Sequence, residues 1–581
     1  MAAFVSGALA AQHHTFGLAQ PVDLVANGAW YGAGCGGNGQ PVTITATPGM
    51  RPGMVSRLRI EHLPPGQTAL LLLGSSAQDW WGTPLPLALG GLGMNGCELL
   101  VAAEMPVVYG TGSGTAVADI RVPALPQLAA QPLFVQTMFH QPSANAAGVG
   151  MSRGYATRIA PFATPTSSTM SISQHGITFT FAAPVEAGRF VNGDWFVVGP
   201  VTITAMSPPS ALVNGRVVHG AMVDPDPSTQ NQGYDSTLFD PQHYSHGRNA
   251  AWGLSPQNPL VLPPNHSLIK AISNFDPAHL PALKTCSVLT VLDSVPPEGS
   301  FRPAYAGSEH AVRYDVQMID WQRLLSLTPA PGMPNLATAP ARFERPWLDH
   351  APGWATRYLH PVDNMPDYGR DLASDYNEAV LMCHTDAPLA AKQALAVHLV
   401  QIGIDFFGNV EGGAFWEGVG GHGSGRKLPI LFAGALLGDH RMLAVGADYP
   451  SGRNLDGTYT MHFGEDCQTF YVEETAPGVI NWGFGGYQTQ HLGMPEFGFS
   501  HTHYPDQDVL GWTTNSYRLC CTANAWIGAV LAARMMDLVD AWQHPALFDY
   551  TDRYATTEPP GWTRTWSPWV GGMWDLYRPQ F

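Results

Sequence analysis

With 581 residues, of which 45% are hydrophobic and only 13% charged, the chain is too long for one core and too apolar and aromatic for a disordered protein. A formal net charge of −17 weighs against a nucleic-acid partner, because gripping a phosphate backbone needs a clustered basic face. No apolar run approaches the roughly 18 residues of a membrane-spanning helix, and 63 Gly with 50 Pro favour β-structure and long ordered loops over helical bundles.

Residues 1–12, MAAFVSGALAAQ, have the apolar stretch and small-x-small ending (Ala8-Leu9-Ala10) of a secretory-signal remnant, so the protein is expected to be secreted. From 13 to 159 short period-2 segments (PVTITATPG, SRLRIEHL, TALLLLGSS, LFVQTMFH) alternate with Gly/Pro/Asn turns, which predicts an antiparallel β-sandwich. Cys35 and Cys97 flank this region and could pair within it. The pattern GCGGNG, LLLLGSS, GMNGCELLV, FVQTMFH resembles accessory β modules of secreted bacterial proteins, which implies glycan binding, adhesion or a spacer role. A Pro/Thr/Ser stretch at 160–171 reads as a linker. Residues 172–310 read as a second β-sandwich, with Asn192-Gly193-Asp194 as a hairpin turn and the polar loop 224–249 shaping a cleft.

Beyond 311 the periodicity becomes helical, over 368–385, 388–410, 426–443 and 516–542. Pro388 starts the second of these helices, Gly412-Gly413 lies past its end, and Pro429 falls in the first turn of the third. Helix pairs joined by polar, aromatic loops, with the phrases HGSGRK, YRLCCTANAW and ALFDYTDRY, resemble the α/α-toroid domains of polysaccharide lyases and glycoside hydrolases across 311–581. The expected fold class is therefore multidomain, with N-terminal antiparallel β-sandwich domains followed by a mainly α-helical, toroid-like domain. The resemblance implies a polysaccharide substrate and an active site on the loops at one end of the ring.

Three loops and one short segment concentrate reactive side chains. The stretch 411–439, EGGAFWEGVGGHGSGRKLPILFAGALLGD, lacks the GxxxxGK[ST] spacing of a phosphate loop, and its Glu411 and Glu417 would repel a nucleotide. Its glycines allow close approach of a bulky ligand, with Glu417, His422 and Arg426 as catalytic candidates and Trp416 and Lys427 as contacts; the bland alternative is a helix cap with Arg426 on Glu417. Around Ser424 the chain reads HGSGR, not the GxSxG elbow of a serine hydrolase. The segment 357–371 places Asn364, Asp367, Tyr368 and Arg370 before a helix, more polar groups than a cap requires. The segment 482–512 offers His501 and Tyr504 for proton transfer, and Trp482, Tyr487 and Trp512 for stacking on sugar faces, with core packing as the alternative.

No cofactor is expected. A divalent cation on His501 and His503 lacks a third ligand by spacing, and Glu465, Cys467, Cys520 and Cys521 form a zinc set only if they meet; otherwise the three cysteines are buried thiols. Two chemistries compete. β-Elimination of a uronate polymer must neutralise a carboxylate, abstract the adjacent proton and protonate the leaving oxygen, and the toroid lyases do this with Asn or Arg, His and Tyr. Inverting hydrolysis needs two carboxylates roughly 6.5–9.5 Å apart, drawn from Asp367, Asp371, Glu417, Asp466 and Glu496. The recurrence of His, Tyr, Asn and Arg favours the lyase; a non-catalytic glycan-binding or envelope protein is the third reading, and it predicts that these side chains pair among themselves.

Overall fold

A computed structural model describes residues 28–37, 40–47, 50, 54–66, 68–110, 114–123, 128, 131–159, 166–237, 243–418, 420–453, 459–499, 501–510, 516–557 and 565–581. The chain divides into two compact units, 1–162 and 163–581. The signal-like residues 1–12 and Trp512 lie outside the described residues.

In the first unit, alternating apolar residues build two antiparallel sheets. One runs in the order Ala29–Tyr31, Gly154–Arg158, Pro132–His140, Thr68–Gly74, Met105–Gly110, and the other is Ala116–Arg121, Val55–Glu61, Thr43–Thr47. Ile44, Leu58, Ile60 and Ile120 of the smaller sheet share one core with Leu71, Leu73, Val135 and Phe139 of the larger, so the sheets face each other across their apolar sides. Cys35 and Cys97 form a disulfide.

The second unit's first strand begins inside the expected linker. Ser167–Gln174 is a strand paired with Ile177–Arg189. The region then forms one eight-stranded sheet, ordered Ala221–Val223, His266–Ser273, Leu283–Leu292, Trp195–Val198, Ile177–Arg189, Val201–Ser207, Leu260–Leu262, with Ser167–Gln174 on the long strand. Trp195–Val198 and Leu283–Leu292 run parallel, an exception to the antiparallel reading. On one face Ile172, Phe179 and Ile203 share a core with Ala221, Leu268 and Leu289 from the other end of the sheet, and on the other Ile269, Ala271, Cys286 and Val288 pack against Tyr305, Leu348 and Leu359 from the following segment.

The helices are α1 (Gly369–Cys383), α2 (Leu389–Glu411), α3 (Lys427–Leu437), α4 (His440–Leu443), α5 (Val445–Asp448), α6 (Gly464–Gln468), α7 (Ser516–Cys521), α8 (Ala523–Met535), α9 (Val539–Trp542), α10 (Pro545–Thr557) and α11 (Pro568–Tyr577). Every residue of α3 is buried, consistent with its all-round apolar sequence KLPILFAGALL. It ends at Gly438, in the left-handed conformation (φ 64°) that favours glycine. α2 packs between α1 and α3, and α1 also packs on α8, which contacts α10 and α11. The periodicity over 516–542 is interrupted twice, at Thr522 and after Met535.

A buried cation joins sheet and helices. The Arg302 guanidinium lies 2.7 Å from Asp194 Oδ2 in the 192–194 turn and 2.7 Å from Asp405 Oδ2 in α2, with all three side chains at most 1% exposed. Burial pushes the Asp405 carboxyl up to about 6 even with Arg302 beside it. Replacing Arg302 with Met leaves two buried carboxylates unpaired, and the expected cost at pH 7 is about 3–5 kcal/mol. Denaturant unfolding of the second unit checks this; a loss under about 1 kcal/mol would place the junction elsewhere.

Candidate functional site

The 417–427 loop is held by one buried carboxylate. Asp349 accepts from Arg426 Nε at 2.6 Å and lies 3.0 Å from His360 Nε2, and all three side chains are fully buried. Burial alone would raise the Asp349 carboxyl, but Arg426 and His360 hold it well below the usual range. Arg426 Nη1 also donates to the carbonyls of His422 and Ser424, so the guanidinium closes the loop on itself at the start of α3. Arg426 thus pairs with Asp349, not Glu417, and does not face solvent. Lys427 is equally buried; its Nζ reaches Asp466 and donates to the Trp542 carbonyl at 2.6 Å. Trp416 is buried too, beneath Arg426 and between Phe406 and Phe463.

The glycines of this loop serve backbone packing. A Cβ on Gly421 would overlap the Cys521 carbonyl and stand 3.0 Å from the Tyr368 ring; Gly425, at φ 96°, has Ala373 2.7 Å away. The approach they permit is therefore of α1 and the α7–α8 junction.

At the outer edge of this packing, Tyr368 immediately precedes α1 and its hydroxyl accepts from the Gly421 N–H at 3.1 Å. Guanidinium carbons of Arg357 and Arg370 each lie 5.4 Å from its ring centre. Arg357 also covers Trp354 and pairs with Asp367 at 2.7 Å, while Arg370 covers Trp566 at 4.1 Å and clamps Asp371 through two nitrogens. Trp354 and Trp566 are 42% and 47% exposed, so two indoles flank an arginine–tyrosine–arginine stack at the surface. His422 sits behind Trp354 (ring centres 4.6 Å apart), only 2% exposed. Its Nε2 lies 3.1 Å from the Gly353 carbonyl, so that nitrogen carries the proton, and Nδ1 is buried with no hydrogen-bond partner among the described residues. Burial and Arg426 push the ring down to about 3, keeping it neutral.

The 482–508 loop supplies a second group. His501 Nδ1 lies 2.6 Å from the buried Asp508 carboxylate, its ring stacks on Phe470 at 3.5 Å, and Trp482 stands 5.4 Å away. Asn481 and Trp482 both hold positive φ (48° and 55°), a strained pair for non-glycine residues. Tyr504 is exposed, next to His503, whereas Tyr487 is buried against Phe470.

The two groups border one strip of chain. Gln468 Nε2 donates to the Gly420 carbonyl at 2.8 Å, and the Gln468 carbonyl accepts from Gly498 N at 2.9 Å. Next to it, the Cys467 carbonyl accepts from Thr502 Oγ1 at 2.7 Å. Asn364 stands apart: it donates to the Arg342 and Arg345 carbonyls and lines a cavity of about 620 Å³ with His279, Arg342, Asp363 and Asp367. The zinc set does not form, because Cys520 and Cys521 are bonded to each other and Cys467 is a buried free thiol. No group of three or more metal-ligating side chains occurs among the described residues. Of the proposed carboxylates, Glu496 is buried between Arg518 and Arg553, and Asp466 is committed to Lys427 and Trp542.

Trp354, Arg357 and Trp566 carried no distinguishing sequence signal of their own, although Arg357 opens the polar run 357–371. No protein family matches the sequence, and no curated protein matches it. Among solved structures, α-2-macroglobulin from Salmonella reacted with methylamine is similar at 11% identity and a TM-score of 0.14, over 91% of this chain and 33% of that one. A mutant of the same protein gives 10% identity and a TM-score of 0.12, over 91% and 37%. The chain spans about a third of their length, and a likeness of that size carries no argument about fold or activity.

The neutral His422 has a thermodynamic signature. Its folded-state value, about 3, lies below the ordinary 6.5, so the unfolded chain binds the proton more readily. The stability it contributes is complete above about pH 6.5 and is lost as pH falls from there toward 3. Raised carboxyls such as Asp405 and Glu465 titrate in the opposite sense, so the informative quantity is the difference between wild type and His422→Gln. That stability difference should shrink by about 2 kcal/mol between pH 8 and pH 5. A pH-independent difference would mean that His422 protonates as easily in the folded protein.

Proposed function

We propose that the chain is a secreted polysaccharide lyase that cleaves a uronic-acid-containing polymer by β-elimination, with the helical layer acting as a toroid-type support for the loops. The observation that carries this reading is the stack of Trp354, Arg357, Tyr368, Arg370 and Trp566, in which half-buried Arg357, Tyr368 and Arg370 around the start of α1 lie between exposed Trp354 and Trp566, the latter just before α11. Its indole faces suit the apolar sides of pyranose rings, and its guanidiniums suit a substrate carboxylate. In the proposed reaction Arg357 or Arg370 neutralises the C6 carboxylate, which makes the C5 proton removable. His501, oriented by Asp508, takes that proton; electrons move into the C4–C5 bond as the C4–O4 bond breaks, and Tyr368 protonates the departing oxygen. Negative charge left on Tyr368 Oη meets the Gly421 N–H already pointed at it. Hydrolysis has less support, since Asp367 and Asp371 are arginine-paired and Asp466 and Glu496 are buried in ion pairs.

One observation favours a binding role without chemistry. The cations of the site are paired internally, Arg357 with Asp367, Arg370 with Asp371, Arg426 with Asp349 and Lys427 with Asp466. Incubation with neutral and uronic polysaccharides, following both the absorbance of the unsaturated product and reducing ends, separates these readings. Elimination raises both signals, hydrolysis raises reducing ends alone, and a binding protein retains polymer with neither. In the lyase, Tyr368→Phe should slow turnover by roughly 10²–10⁴-fold, while Trp566→Ala acts mainly on KM. Full activity in Tyr368→Phe would remove the tyrosine from the mechanism.

A further inference from the structure

We propose that the Cys520–Cys521 disulfide is a thiol–disulfide exchange site, open to small or protein dithiols, whose redox state sets the positions of Arg370 and the 420–425 loop. A disulfide between adjacent residues encloses no chain loop, so it lacks the loop-closure contribution that makes most disulfides stabilising. Its effect must be local. Both cysteines are partly exposed, whereas the free thiols Cys286, Cys383 and Cys467 are buried. Burial pushes Cys383 and Cys467 up to about 12, leaving them unreactive.

The oxidised pair sits at a break in an otherwise continuous helical pattern. α7 ends at Cys521, α8 begins at Ala523, and Thr522 between them has φ −134° and ψ −89°, far from helical values. The break turns two carbonyls outward. Cys520 O accepts from Arg370 Nη1 at 2.9 Å, and Cys521 O occupies the space that a Gly421 side chain would need. Ala525 N meanwhile donates to Thr522 O. In an uninterrupted helix, Cys520 O and Cys521 O would instead accept from the backbone N–H groups of Asn524 and Ala525, four residues on. In the proposed reduced state α7 joins α8, and both carbonyls turn into the helix, away from Arg370 and Gly421. Arg370 also covers Trp566 and Tyr368, so the change reaches the exposed aromatic stack.

The exchange balances with a dithiol as reductant. One thiolate attacks a sulfur of the pair and forms a mixed disulfide; the second thiol resolves it. The reagent leaves as a disulfide, and Cys520 and Cys521 gain two electrons and two protons as thiols. The proposal does not depend on the lyase reading, because its readout is structural.

The test treats the full chain with excess dithiothreitol under native conditions. Thiols are then alkylated for peptide mass spectrometry, and hydrogen exchange is measured in parallel. Cys520 and Cys521 should both be labelled, and amides in 418–425 and around Arg370 should exchange roughly tenfold faster, with slower exchange at the 522–525 junction. The Cys520→Ser, Cys521→Ser double variant should reproduce that pattern without reductant; if it does not fold, the wild-type arm alone decides. The proposal is overturned if the pair stays unlabelled in the folded protein, or if both cysteines are labelled and exchange in these segments is unchanged.

Discussion

The Asp349 carboxylate, fully buried between Arg426 and His360, is the constraint on which the site rests. Burying a carboxylate and a guanidinium costs several kcal/mol each in lost hydration, and only close pairing with additional hydrogen bonds offsets it. Here the offset is local geometry. Arg426 can satisfy Asp349 and the carbonyls of His422 and Ser424 together only if the 422–426 turn is closed as it is. That closure puts His422 under Trp354 and directs the Gly421 N–H at Tyr368.

Two further buried cations extend the same logic. Arg302 ties the 192–194 turn to α2, and Lys427 ties the start of α3 to α6 and the end of α9. Pairs of this kind contribute little net stability relative to apolar packing, but breaking one is expensive, so they fix register between elements that apolar surfaces alone would let slide. The outcome is a rigid inner layer of paired charges beneath an outer layer of partly exposed indoles, arginines and Tyr368.

Local patterns were readable in the sequence where they depend on neighbours in the chain. The ends of α1 and α2 follow from helical periodicity, Pro388 and Gly412-Gly413, because capping and amphipathicity act over a few positions, whereas the helix expected over 426–443 stops at Gly438 and α4 follows as a separate turn. The first unit's strands follow from period-2 alternation. Long-range partners were not readable. Arg426 meets Asp349, 77 positions away, and Lys427 meets Asp466, 39 away, so charges that looked available for a ligand are consumed internally. The loop glycines did signal a close approach, but of backbone. The parallel pairing and the eight-stranded sheet within 167–292 were hidden because apolar runs do not reveal which strand is the neighbour. Cys520 and Cys521 looked like thiols or ligands because adjacency says nothing of oxidation state.

The proposed function places a uronate chain across the Trp354–Tyr368–Trp566 face. A crystal structure of Tyr368→Phe soaked with an oligouronate tests it directly. Sugar rings should lie against Trp354 and Trp566, with a uronate carboxylate on Arg357 or Arg370 and His501 beside C5. Ordered oligosaccharide elsewhere on the molecule, with this face bare, would contradict it.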